Sequence, residues 1–207
     1  MKLKKGVFIT FEGGEGCGKS THANLLKDYL EEKGFKVLVI REPGGTKTGE
    51  KLRKILLEGK SKISSLTELF LFLASRRELV TKVIEPSLQK NNIVICDRFM
   101  DSTVAYQGYG RGIDIKLICK LNDIVVGKQV FPDLTFVLDT DKHLGFKLKG
   151  EDRIEVENES FHKKVREGYL EIAGENPKRV RIIKSEGKIA EIQEKIREIV
   201  EKYLKKM

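Results

Sequence analysis

The eleven residues FEGGEGCGKST, Phe11 to Thr21, limit the possible folds of this chain more than any other stretch. Four of them are glycine, and they follow directly on an apolar, β-branched and aromatic run, GVFITF at 6–11. Such a run, bounded by glycine, predicts a buried strand. After the glycines, KSTHANLLKDYLEEKG puts Ala23, Leu26, Tyr29 and Leu30 on one helical face, and Gly34 supplies a stop. Between that strand and that helix, Gly13-Gly14-Glu15-Gly16-Cys17-Gly18-Lys19-Ser20 matches G-x4-G-K-[ST], the phosphate-binding loop. Glycine lets main-chain N–H groups close on phosphate oxygens and permits positive φ. The helix opening near Lys19 aims the positive end of its dipole at the same anion. Lys19 is expected to bridge the β- and γ-phosphates, Ser20 to ligate Mg²⁺, and Thr21 to complete the loop.

The rest of the chain repeats the alternation of strand and helix. FKVLVI (35–40), NIVICDR (92–98), LTFVLD (134–139) and RVRIIKS (179–185) read as further strands, each separated from the next by helical pattern. REPGGTKTG (41–49) is a loop, with a trans Pro43 expected on base rates. The helix predicted over 65–90 contains Pro86, which should kink or end it. YQGYGRG reads as a turn-rich passage, and 142–160 as a polar, basic flap between core elements. The result is a three-layer α/β fold of the P-loop NTPase type. About five parallel strands are flanked by helices in a single domain over 1–207, with a flap (lid) at about 142–156.

Bulk properties narrow the setting. The 207 residues carry a net charge of +9. That charge alone is compatible with nucleic acid, an anionic membrane or a polyanionic small molecule. The basic residues are spread along the chain without a block, which weighs against nucleic acid as a partner. Three cysteines with no CxxC pair predict reduced thiols and a cytoplasmic location. No run approaches the roughly 18 apolar residues of a membrane helix, so no membrane partner is expected. His22, His143 and His162 are scattered and read as surface residues, and Cys17 reads as a small spacer.

The loop does not fix the reaction, because kinases, motors and switches all use it. The strand IVICDR decides more. It ends in Asp97-Arg98, where a motor ATPase usually carries two acids, the second to polarise water. Asp97 can orient Mg²⁺. Arg98 cannot act as a base, but it suits an incoming phosphate. This favours transfer to a phosphorylated acceptor over hydrolysis. A DNA-stimulated ATPase and a kinase for some other nucleoside monophosphate are the competing readings.

With those residues identified, the chain resembles the thymidylate kinase family of the bacterial type. FEGGEGCGKST, REPGGT, FLASRREL, DRFMDSTVAYQGYGRG, PDLTFVLD and DRIEVENESFHKKVREGYLEIA are similar to that family's motifs, in its order, from residue 8 to about 185. The resemblance implies a phosphotransferase that moves the γ-phosphoryl group of ATP, with Mg²⁺, to dTMP, and a homodimer built on the apolar helix 65–85.

The resemblance also assigns roles. It places Phe72 on thymine and Arg76, one turn on, at thymine O4. On the residues alone, Phe72 reads first as a core aromatic of an apolar helix. Arg53 and Arg98 are placed at the acceptor phosphate, Tyr106 against the sugar 2′ position, and Ser102, Thr103 and Gln107 around the base. Glu15 is directed across the loop to the second substrate. Glu12 is read as structural, with an arginine partner expected. The loop position where some members carry Arg is Gly16, so the catalytic cation is sought in the flap, in Arg153 and in Lys147 or Lys149. Arg166 is read as a structural support of that flap.

Overall fold

The apolar run after Gly6 does form the central strand. In the computed structural model, which describes residues 3–58, 62–127, 130–140 and 152–207, β1 (Val7–Gly13) is buried along its whole length. A strand covered on both faces needs apolar residues on both, which is why the run is continuous instead of alternating. β1 pairs in parallel with β3 (Ile93–Asp97) on one side and β4 (Leu134–Asp139) on the other. β2 (Val37–Arg41) and β5 (Val180–Lys184) complete the five-stranded order β2-β3-β1-β4-β5. The chain reverses direction across the sheet at β1, and ligands of open α/β sheets bind outside the carboxyl ends of such strands. The register sets Phe11 beside Asp97 and Gly13 beside Leu138, so the glycine loop and the Asp97-Arg98 pair leave the sheet together.

The two-residue period of β1 divides its side chains between two layers. Val7, Ile9 and Phe11 pack with Ala23, Leu26 and Leu30 of α1 (Lys19–Glu32) and Ile192, Ile196 and Val200 of α8 (Ile189–Leu204). Phe8 faces the opposite layer, where α3 (Ser65–Leu79) contributes Leu79. By the same alternation Glu12 points into that second layer.

Of the two outcomes expected of Pro86, ending the helix is not observed. A wide π-helical turn at Val80–Ile84 precedes α4 (Glu85–Gln89), which carries Pro86 in its first turn. The passage read as turn-rich is helical. α5 (Met100–Thr103) runs into a second π-helical turn, Val104–Gly110, in which Ala105, Tyr106 and Gln107 are buried. A Cβ on Gly108 would lie 3.3 Å from Ile115 and 3.4 Å from Ile118 of α6 (Ile115–Val126). Close packing there outweighs the weak helix propensity of glycine. The Glu42–Pro43 peptide is cis, where trans was expected. Of the flap expected at 142–156, only 152–156 fall among the described residues; His143, Lys147 and Lys149 lie outside them.

Candidate active site

The glycine loop takes its shape from close contacts that exclude side chains. Gly13 has φ 131, and a Cβ on it would come within 2.4 Å of the Leu138 carbonyl oxygen. Gly18 caps α1 at φ 91 and offers no side-chain hydrogen bond to the helix, so the first-turn N–H groups keep their capacity for an anion. Cys17 is buried and its Sγ donates to the Gly14 carbonyl, which fits a small spacer. Lys19 folds back over the loop, its Nζ donating to the Gly14 carbonyl at 2.5 Å. Ser20 donates its hydroxyl to Asp97 Oδ2, joining the helix start to the end of β3. These are hard oxygen donors, few in number, and their chemistry suits a hard divalent cation.

A cavity of about 410 Å³ opens over this loop. Of the expected residues, Glu15, Gly16, Gly18, Lys19, Ser20, Thr21, Arg53, Phe72, Arg76, Asp97, Arg98, Ser102, Thr103, Tyr106 and Gln107 all line it. Gly13, Gly14 and Arg153 do not. The Arg153 guanidinium donates to Glu68 at 2.6 Å and to the Leu56 carbonyl at 3.1 Å. Arg41, at the end of β2 in register with Asp97, also lines the cavity.

Arg98 is constrained in both backbone and side chain. Its φ is 68, a left-handed conformation that costs a non-glycine residue about 1–3 kcal/mol. Nη2 donates to Glu15 Oε1 at 2.6 Å, and Nη1 donates to the Gly13 carbonyl at 2.9 Å and to the Tyr169 hydroxyl at 3.3 Å. Its guanidinium also lies over the Tyr106 ring, 5.0 Å from the centroid. Burial alone would lift the Glu15 carboxyl. The charges of Arg98 and Lys19, with hydrogen bonds from Tyr106 and Arg98, more than offset this and hold it at about 2. Tyr106, placed by resemblance against the sugar, donates its hydroxyl to the same Glu15 oxygen at 2.9 Å. Arg53 donates to the Pro43 carbonyl, and burial followed by the charge of Arg41 pushes its pKa down.

Several side chains hold the site together from within. Arg76 is 2% exposed and surrounded by acceptors: Glu42 takes bonds from Nε and Nη2, Thr103 and Asn122 from Nη1, and the Phe99 carbonyl from Nη2. The donors meant for thymine O4 are thus engaged inside the protein. Phe72 does lie on the cavity wall, one turn from Arg76. Gln107 and Arg153 both bond Glu68, and Arg111 joins them. Ser102 bonds Glu12 and Tyr169. Among the described residues Glu12 forms no ion pair with an arginine, although the charge of Arg98 lies near enough to act on it. Its oxygens accept from the Phe99 amide, the Ser102 hydroxyl and the Tyr169 hydroxyl. Complete burial, followed by the nearby charge of Asp101, raises its pKa to about 7. Arg166 grips Asp139 at the end of β4 through two bonds. His22 is buried against Gln193, not on the surface as expected.

Sequence reading missed Arg41, Glu42 and Tyr169. Arg41 and Glu42 sit beside a proline-glycine turn, which masks their approach to Asp97 across the sheet. Tyr169 lies in an ordinary amphipathic helix, α7 (Glu159–Glu175), and no local pattern marks its hydroxyl.

Fold and site together define a P-loop phosphotransferase whose phosphate loop opens into an arginine-lined cavity. The thymidylate kinase family model matches residues 11–196. A thymidylate kinase from a Thermoanaerobacter species is 43% identical over 203 residues, 97% of this chain and 100% of the relative. One from Dehalococcoides mccartyi is 50% identical over 177 residues, 84% and 85% of the two chains. The crystal structure of thymidylate kinase from Ehrlichia chaffeensis superposes with a TM-score of 0.80 at 41% identity, covering 95% of this chain and 98% of that one. The chain belongs to the thymidylate kinase family.

Two outcomes are expected. Arg76→Ala strands the buried Glu42 carboxylate and should cost about 3–5 kcal/mol of stability, so its thermal midpoint should fall before any change of selectivity can be read; an unchanged melting curve would contradict the buried hub. The second concerns Glu12. A carboxyl raised from 4.5 to about 7 keeps its proton in the folded state, so its contribution to stability declines as pH rises from 4.5 to 7. Glutamine does not titrate. The stability of Glu12→Gln relative to the parent should therefore improve between pH 4.5 and pH 8, by on the order of 3 kcal/mol. Denaturant unfolding at both pH values measures it, and a constant difference would count against the raised pKa.

Proposed function

We propose that the chain phosphorylates dTMP at the expense of ATP, yielding dTDP and ADP, with the two nucleotides meeting over the glycine loop. The observation that carries this reading is the convergence on one cavity of a phosphate loop and its lysine with two arginines and a phenylalanine suited to a nucleotide monophosphate.

The roles follow from charge and reach. Loop amides from Gly13, Gly14, Gly16 and Gly18, with Lys19 and Thr21, cradle the donor phosphates, Lys19 exchanging the Gly14 carbonyl for a phosphate oxygen. Ser20 and Asp97 hold Mg²⁺, which when bound neutralises charge on the donor phosphates. Arg98 and Arg53, with Arg41 beside them, receive the acceptor phosphate and cancel its repulsion with ATP. Phe72 stacks on thymine, while Arg76, Ser102, Thr103 and Gln107 shape the base pocket from behind. Tyr106 and Glu15 face the sugar, where the Tyr106 ring disfavours a 2′ hydroxyl. The flap cation that caps the transferring phosphate is drawn from Lys147, Lys149 and Arg153, the last of which must first leave Glu68. With Arg98 where a hydrolase would hold a second acid, no carboxylate there polarises water. The setting is cytoplasmic, and neither nucleic acid nor a membrane is a partner; no described helix is long and apolar enough to cross a membrane.

A second copy of the chain is the partner we assign to the outer face of α3 and α6. On α3, Leu66 and Phe70 are exposed one turn apart, and on the adjoining α6 Leu117 and Ile124 are exposed two turns apart. Large apolar groups at those spacings on neighbouring helices suit a homodimer seam.

An ADP-release assay across the nucleoside monophosphates should give dTMP a kcat/KM at least ~10²-fold above dCMP, AMP or GMP; parity among acceptors, or ATP turnover driven by DNA without an acceptor, would refute the assignment. Sedimentation should give twice the chain mass, and Phe70→Glu should give the single mass; a monomeric parent at micromolar concentration would remove the dimer.

A further inference from the structure

Beneath Arg98 lie two polar side chains that the phosphoryl-transfer roles above do not use. Glu12 carries the last side chain of β1 and is fully buried; Tyr169 comes from the middle of α7 and is 1% exposed. Both direct their polar atoms at the anchorage of Arg98. The Arg98 amide donates to the Phe11 carbonyl at 2.9 Å, and the next amide, Phe99, donates to Glu12 Oε1 at 2.8 Å. The left-handed residue is thus pinned on both sides, by the main chain of β1 before it and by a buried carboxyl group after it. The side chain is pinned as well. Tyr169 hydroxyl accepts from Arg98 Nη1 at 3.3 Å, lies 2.8 Å from Ser102 Oγ and donates to Glu12 Oε2 at 3.0 Å. A core that needed only volume here would use leucine and phenylalanine, since burying a carboxylate and a phenol is unfavourable without a specific partner.

We propose that Glu12 and Tyr169 are positioning residues for the acceptor: together they fix the backbone conformation and the guanidinium direction of Arg98, and so set the affinity for the acceptor phosphate. This rests on the reading that Arg98 receives that phosphate. Neither residue touches a reacting atom. Tyr169 lies outside the glycine loop and the cavity lining, so the cavity alone does not reveal its role.

The test is a kinetic double-mutant cycle on the full-length protein. Tyr169→Phe keeps the ring and its edge-on packing with Tyr106 at 6.3 Å, and removes only the hydroxyl. It should raise the KM for dTMP about tenfold while the KM for ATP stays within about twofold. Arg98→Lys should raise the KM for dTMP by at least as much. In the Arg98→Lys background, Tyr169→Phe should add less than about twofold, because the group it positions is gone. Glu12→Gln keeps an acceptor for the Phe99 amide but loses one for the hydroxyls, and should follow the same pattern; it serves as the second variant if Tyr169→Phe folds poorly. Equal losses in both backgrounds, or a KM for dTMP unmoved by Tyr169→Phe, would overturn the proposal while leaving the role of Arg98 intact. An Arg98→Lys variant with an unchanged KM for dTMP would instead remove the reading on which the proposal rests, and the proposal with it.

Discussion

At the carboxyl end of β3 a guanidinium is clasped between the glycine loop and the helical layer. Glu15 holds it from the loop, and Tyr169, backed by Glu12, holds it from the other side. The parallel register makes this possible, because Phe11 beside Asp97 brings the ends of β1 and β3 level and lets the Arg98 amide bond back to the Phe11 carbonyl. A left-handed arginine is unfavourable by itself and persists only where its surroundings over-determine it. Here the main-chain bond, two carboxylates and a phenol do so. The same arrangement ties the glycine loop to the arginine that we propose receives the acceptor phosphate.

The two glutamates near the loop behave in opposite ways because their surroundings differ. Both lose water. Glu15 faces Arg98 and Lys19, and their charges carry its pKa down to about 2. Glu12 is buried completely, with another acid, Asp101, nearby, and its pKa rises to about 7. Glu15 is thus a permanent negative charge that orients cations, whereas Glu12 is a hydrogen-bond anchor that tolerates a proton. Neither stands where a hydrolase would place a base beside Asp97, since that position is arginine. The charge pattern favours passing a phosphoryl group between two nucleotides over losing it to water.

Much of this could be read from the residues. The strand, the glycine loop and the helix after it follow from period and composition, because a buried parallel strand must be apolar on both faces and a phosphate cradle must be glycine-rich. The Asp97-Arg98 pair was legible because an arginine at a strand end excludes one chemistry and suits another. What could not be read depends on distances across the fold. Arg76, assigned to thymine, is engaged by Glu42, Thr103, Asn122 and the Phe99 carbonyl, partners 23 to 46 residues away in sequence. Tyr169 sits in an amphipathic helix whose pattern reports only which face is buried. The passage around Gly108 looked like turns because glycine weakens helices, and only its packing against Ile115 and Ile118 explains why it is helical.

The most direct measurement is a crystal structure of the complex with dTMP and a non-hydrolysable ATP analogue. The account predicts the dTMP phosphate within hydrogen-bond distance of the Arg98 guanidinium, with Arg98 still at positive φ and Tyr169 still bonded to it. A dTMP phosphate bound elsewhere, or an Arg98 that has relaxed to negative φ and left Tyr169, would contradict it.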